Sequence, residues 1–326
     1  LIFTACAVLV RTPDGLVETL APFHEVLAWA QDEGEAVAET VFRLIHRIGG
    51  KRPALAGLDL DRPLVMGIIN CTPDSFSDGG DCNTPDSAFA RGMAMLEAGA
   101  DILDIGGEST RPGAEAVLPE QEAARVVPVI RALAGKGAVI SIDTRHALVM
   151  RAALAAGAKI INDVTALTGD ALSLTVAAES GAPVILMHMR GDPRTMQDQP
   201  TYDYAPLDVH DYLSRRIAAC EAAGIPRAKI MADPGIGFGK TVEHNLQILF
   251  RLGLLHGLGC GILLGVSRKS FIARLCKDEA PKERLPGSLA SALAGIAQGA
   301  QVVRVHDVAE TVQAVRVWEA ARQAGR

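Results

Sequence analysis

From Pro63 onward the chain alternates short uninterrupted apolar runs with longer Ala-rich segments in which apolar positions recur every three or four residues. The runs are 64–69, 102–105, 138–142, 159–161, 184–187, 229–232, 261–266 and 302–305. Runs without alternation are the pattern of strands buried on both faces, as in a parallel sheet. Helical spacing fills the gaps at 84–98, 119–133, 145–156, 170–180, 207–223, 242–255, 287–298 and 309–324. Gly99, Gly157, Gly181 and Gly299 each stand between a helical segment and the next run, where a C-terminal helix cap is expected. Eight β-α units over about 260 residues predict a (β/α)8 TIM barrel. A doubly wound open sheet is the alternative, but it needs an edge strand, and none of the runs has that character.

The first 60 residues have a different texture. Residues 2–10 are apolar and β-prone, Thr12-Pro-Asp-Gly15 signals a turn, and 16–20 can return as a second strand. Helical spacing then runs from 24 to 48, weakened at Gly34 and ended by Gly49-Gly50. Residues 51–62 read as a linker. The expected division is a small α+β extension over 1–60, packing beside the main domain, and a barrel over 61–326.

At 49% hydrophobic residues the chain has ample core material, and wholesale disorder is excluded. Its 32 basic and 38 acidic residues leave a net charge of −6. That argues against a nucleic-acid partner, although a local basic pocket for an anionic small molecule stays open. None of the six cysteines lies in a C-x-x-C, so they read as reduced thiols of a cytoplasmic protein and not as a zinc site. The opening apolar run, Leu1–Val10, is half a membrane span and lacks a preceding basic segment, so neither a membrane partner nor a signal peptide is expected.

Every apolar run ends in or abuts a polar residue: Asn70, Asp104, Asp143, Asn162, His188, Asp233, the trio Ser267-Arg268-Lys269, and Arg304 with His306. One such residue is normally a helix cap. Eight of eight is different, because a barrel brings all its C-terminal strand ends to one mouth, where active sites lie. Carboxylates and amides suit a polar heterocycle, while Ser267, Arg268, Lys269, Arg304 and His306 suit an anion such as phosphate. The segments 70–80 and 106–113 are rich in Gly, Pro, Ser and Thr and long for βα loops, as lids are. The glycine-rich turn 233–240 lacks P-loop spacing. Cys71 reads as a small buried side chain, Trp29 and Trp318 as helix packing, and Arg215-Arg216 as a solvated helix face. His188 reads equally as a ligand or a structural histidine, and Tyr202 and Tyr204 carry no strong claim.

Several segments together carry a family resemblance: Met66–Gly80, Asp104–Gly113, Ser141-Ile-Asp-Thr144, Ile161-Asn-Asp163, Met187-His-Met189, Asp233–Lys240, Gly265–Ser270 and Arg304-Val-His-Asp307. In this order the chain resembles the dihydropteroate synthases from about Pro63 to its end. The resemblance implies a TIM barrel that joins 6-hydroxymethyl-7,8-dihydropterin diphosphate to 4-aminobenzoate with Mg2+, releasing diphosphate, in a homodimer. It implies that Asp143, Asn162, Asp233 and Lys269 hold the pterin, with Met187 and Phe238 against its ring. Asn70, Arg304 and His306 would hold the diphosphate, Asn70 also the Mg2+. Thr110, Arg111, Pro112 and Ser270 would face the aminobenzoate. The implied catalytic set is Asp104, Asp143, Lys269, Arg304 and His306. With no insertion in Glu108–Gly113, sulfonamide sensitivity is expected. Two rivals remain, a pterin-dependent methyltransferase barrel and a non-catalytic pterin-binding barrel. The first should lack the Thr-Arg-Pro-Gly and Ser-Arg-Lys-Ser segments present here.

Overall fold

In a computed structural model of the chain, residues 4–72, 84–109, 117–191, 196 and 199–324 are described. The chain forms two compact units, Leu1–Lys51 with His256–Gly259, and Arg52–Leu255 with Cys260–Arg326.

In the smaller unit β1 (Ala5–Thr12) and β2 (Gly15–Pro22) form an antiparallel hairpin closed at Thr12↔Gly15. The Thr12 hydroxyl donates to the Gly15 carbonyl over 2.9 Å. The single helix expected over 24–48 is two, α1 (Phe23–Asp32) and α2 (Glu35–Gly49). Gly34 separates them at φ 105°, a left-handed conformation that glycine adopts without the Cβ penalty.

The larger unit carries the barrel. Its strands are β3 (Leu64–Asn70), β4 (Ile102–Gly106), β5 (Ile140–Asp143), β6 (Ile160–Asp163), β7 (Val184–Met187), β8 (Ile230–Asp233), β9 (Gly261–Leu264) and β10 (Val302–Val305). They pair in parallel in chain order, and β10 closes on β3, so no edge strand remains and the open sheet is excluded. Around them lie α3 (Pro85–Glu97), α4 (Pro119–Ala134), α5 (Ala147–Ala156), α6 (Ser173–Ser180), α7 (Ala205–Ala222), α8 (Val242–Phe250), α9 (Ser270–Leu275), α10 (Leu285–Ala297) and α11 (Val308–Ala324). The four glycines that follow helices have φ between 63° and 117°, as caps require.

Strand periodicity decides which side chains meet inside. Leu64, Met66, Ile102, Ile160, Ile185, Met231, Leu263 and Val302 form one buried apolar cluster at the amino-terminal half of the barrel. Two residues further on, the same face of the strand carries Asp104, Asn162, Met187, Asp233 and Arg304. The barrel is thus apolar below and polar at its carboxyl-terminal mouth. Leu55 and Leu60 join the apolar cluster, 3% and 9% exposed. They sit around a tight turn in which Leu55 and Leu58 exchange backbone hydrogen bonds of 2.9 and 2.8 Å, with Ala56 and Gly57 both at positive φ. The stretch that reads as a linker therefore packs into the barrel core, each leucine contributing about 1.5–3 kcal/mol by burial.

Candidate active site

Arg304 occupies the centre of the barrel mouth. Its Nε donates to Asp104 Oδ2 at 2.5 Å and one terminal nitrogen donates to Asp143 Oδ2 at 2.6 Å. Asp104 is fully buried and also accepts from the Asn162 amide at 3.2 Å. Burial works against the Arg304 charge, but Asp104 and Asp143 outweigh it and hold the guanidinium protonated. Burial raises Asp143 above the ordinary carboxylate range, with Arg304 opposing it and Asp104, Asp163 and Asp233 adding to it. The neighbouring Asp163 faces outward. It accepts from the Thr165 N–H and hydroxyl, each at 2.7 Å, and from the Leu167 N–H at 3.1 Å. Of the Asn162-Asp163 pair, the strand alternation gives Asn162 to the pocket and Asp163 to the turn.

Asp233 ends β8 and begins the glycine-rich turn, its Oδ1 accepting from the Gly235 N–H at 2.7 Å. Burial raises its pKa, opposed by that bond and by Lys269, Arg304 and Lys240. The turn is fastened from below by Lys240, which is 2% exposed. Its Nζ lies 2.9 Å from His188 Nδ1 and donates to the carbonyls of Gly235 and Phe238, both at 2.9 Å, and of His188 at 3.3 Å. Burial lowers the Lys240 pKa to about 7. His188 is held neutral by burial and then by Lys240, so its Nδ1 is the acceptor in that contact. At Gly235, φ is 65° and a Cβ would lie 1.9 Å from the His188 carbonyl oxygen, so only glycine fits. Tyr202 donates to the Gly239 carbonyl at 2.7 Å and braces the far end.

Opposite this turn, Lys269 Nζ stands 4.0 Å from the centre of the Phe238 ring, a cation–π contact. Ser267 Oγ accepts from the His306 backbone N–H at 3.2 Å and lies 3.0 Å from His306 Nδ1. Asn70 ends β3 beside Gly106 of β4, half-buried. Its amide oxygen is a hard ligand of the kind Mg2+ takes together with diphosphate oxygens and water.

A family model for pterin-binding enzymes matches residues 66–306. The chain belongs to this family. It is 50% identical to the dihydropteroate synthase of Escherichia coli (strain K12) over 264 residues, 81% of this chain and 93% of that protein. The crystal structure of Yersinia pestis dihydropteroate synthase with a sulfonamide drug complex superposes with a TM-score of 0.78 at 48% identity, covering 82% of this chain and 96% of that one. The Xanthomonas albilineans dihydropteroate synthase with 4-aminobenzoic acid gives 0.77 at 49% identity, covering 83% and 98%.

In this pterin-binding enzyme Asp104, Asp143, Asn162 and Arg304 form one bonded network, and Asp233, Phe238 and Lys269 gather on the glycine-rich turn. Met187 is buried against that turn. Ser270 opens α9 and is exposed. Thr110, Arg111 and Pro112 lie outside the described residues. Arg268, expected in the anion set, makes a two-point ion pair with Asp307. Arg216 is not simply solvated, since its Nε donates to the Ala166 carbonyl at 2.9 Å. Sequence reasoning missed Lys240. The signal was a lysine closing a run of alternating glycines, whose exposed carbonyls need a donor.

Proposed function

We propose that the chain is a dihydropteroate synthase that condenses 6-hydroxymethyl-7,8-dihydropterin diphosphate with 4-aminobenzoate to give 7,8-dihydropteroate and diphosphate. The observation that carries this reading is Arg304, a permanently charged guanidinium bonded to two carboxylates at the mouth and near His306. Two of its five N–H groups are taken by Asp104 and Asp143. The others can receive the oxygens of a leaving diphosphate.

Asp233 accepts from the ring N–H and exocyclic NH2 of the pterin, a two-point match for one carboxylate. Asn162 and Asp143 complete the polar edge, Met187 and Phe238 flank the ring, and Lys269 stands over it. The C–O bond to the diphosphate breaks, its electron pair stays on the departing diphosphate oxygen, and Arg304 and His306 stabilise that charge. The aminobenzoate nitrogen then forms the new C–N bond and loses a proton to solvent. Preorganised donors at the developing anion supply most of the barrier reduction, and no covalent nucleophile is needed. Asn70 would hold a Mg2+ ion, whose chemistry when bound would be Lewis-acid stabilisation of the leaving group. Thr110, Arg111, Pro112 and Ser270 belong to the aminobenzoate side in this reading, and sulfonamides compete there. No helix among the described residues is long and apolar enough to cross a membrane. We place the enzyme in the cytoplasm as a homodimer. Steady-state diphosphate release with both substrates tests the assignment, since a pterin-dependent methyltransferase or a non-catalytic barrel releases none.

A further inference from the structure

A second cluster of ligand-bearing side chains lies where β4 ends and α4 and α5 begin. Glu108 follows the end of β4, Glu122 sits in the first turn of α4, and His146 immediately precedes α5. One potential ligand atom from each lies within 4.8 Å of the others. His146 Nε2 is 3.6 Å from Glu108 Oε2 and 3.9 Å from Glu122 Oε2. Glu122 is 0% exposed, and neither of its oxygens makes a hydrogen bond. His146 Nε2 is likewise buried without a hydrogen bond and points at both carboxylates. A buried carboxylate facing a buried ring nitrogen, neither satisfied, is a costly arrangement unless something enters between them.

We propose that Glu108, Glu122 and His146 form a site for a divalent transition-metal ion, zinc being the ion that fits best. One imidazole and two carboxylates match zinc, whereas Mg2+ prefers six oxygen ligands and retains its water. Tetrahedral bonds of about 2.1 Å place ligand atoms roughly 3.4 Å apart, so the site closes on the ion by small side-chain rotations. Glu108 is already oriented. Arg145 donates to its two oxygens at 2.8 and 2.9 Å, and the Val117 N–H donates at 3.2 Å. Those partners form an outer shell of the kind that aims metal ligands, although Arg145 also shares the charge of Glu108 and weakens the site. Glu122 is fixed by close packing, since a Cβ on Gly107 would lie 2.9 Å from its Cγ. The bound ion ties together the end of β4, the start of α4 and the start of α5. Its ligands are none of the residues assigned to the pterin, the diphosphate or Mg2+.

The test is calorimetric titration of zinc chloride into the metal-stripped full chain without substrates. Magnesium chloride is titrated in the same way for comparison. Glu122→Gln and His146→Ala are titrated in parallel after their melting is checked in chelator. The expected result is one zinc per chain, unaffected by millimolar Mg2+. Affinity falls at least tenfold in each variant, and the zinc-induced rise in Tm disappears. Should Glu122→Gln fail to fold, His146→Ala alone decides. Absence of saturable zinc binding overturns the proposal. So does zinc binding of unchanged affinity in the folded variants, which would place the ion on thiols. Neither outcome bears on diphosphate release, so failure here leaves the assigned reaction standing.

Discussion

Arg304 and Asp143 stand 161 positions apart in sequence and are joined by a 2.6 Å ion pair across the barrel mouth. The same guanidinium binds Asp104 through Nε, so it is aimed by two carboxylates before any substrate arrives. Arg304→Lys keeps the charge but has no planar fork to bridge both partners and still face a diphosphate. We expect kcat/KM for the pterin diphosphate to fall at least 100-fold, about 2.7 kcal/mol of transition-state stabilisation. Steady-state kinetics check this, and a loss under threefold means that the arginine only neutralises its two neighbours.

The Asp233 role predicts a different signature. Asp233→Asn keeps the volume but turns one acceptor into a donor that faces a donor on the pterin. A mismatched buried pair costs on the order of 1–3 kcal/mol, so affinity for a pterin analogue should drop about tenfold to a hundredfold. Aminobenzoate inhibition constants should hardly move. Calorimetric titration of a pterin analogue into both proteins settles it, and an affinity within twofold of wild type would confine Asp233 to its bond with Gly235.

His188 predicts how stability changes with pH. Burial and then Lys240 depress its folded pKa far below the unfolded value near 6.5. Its stabilisation is present above that value and is lost as pH falls, because the unfolded chain takes up a proton that the folded chain refuses. Between pH 6.5 and 5 the loss is about 2 kcal/mol. His188→Gln, which offers Lys240 an acceptor without a titrating ring, should flatten this slope in denaturant titrations. An unchanged slope would assign the acid sensitivity to other groups.

Much of this architecture is legible in the chain. Residues 64–69, 184–187 and 302–305 are uninterrupted apolar runs and fold as strands with nearly those bounds. The polar residue at each run's end is legible for the same reason, since a parallel barrel sends every strand end to one side. Partnership is not legible. Arg268 and Arg304 both look like anion ligands in sequence, and only tertiary contact shows that Asp307 engages the first while Asp104 and Asp143 aim the second. Leu55 and Leu60 stand in a segment too short and irregular to show periodicity, yet they close the apolar end of the barrel.

Leu55 gives a prediction that separates stability from chemistry. Leu55→Ala should cost about 2–4 kcal/mol through lost burial and the cavity left behind. KM for both substrates should be unchanged, because the mouth is built from the opposite strand ends. Chemical denaturation with parallel kinetics checks this. A stability within 0.5 kcal/mol of wild type would mean that the turn is dispensable to the core.

The central claim, that this mouth transfers a pterinylmethyl group to an arylamine, is tested most directly by measuring diphosphate release under four conditions. These are both substrates with Mg2+, each substrate alone, and both substrates with excess sulfonamide and no change in pterin. The account predicts sustained release, matched one for one by 7,8-dihydropteroate, only when pterin diphosphate and 4-aminobenzoate are present together. Sulfonamide should suppress dihydropteroate formation competitively with aminobenzoate. Binding of both ligands without any diphosphate release, or release that ignores aminobenzoate, would contradict it.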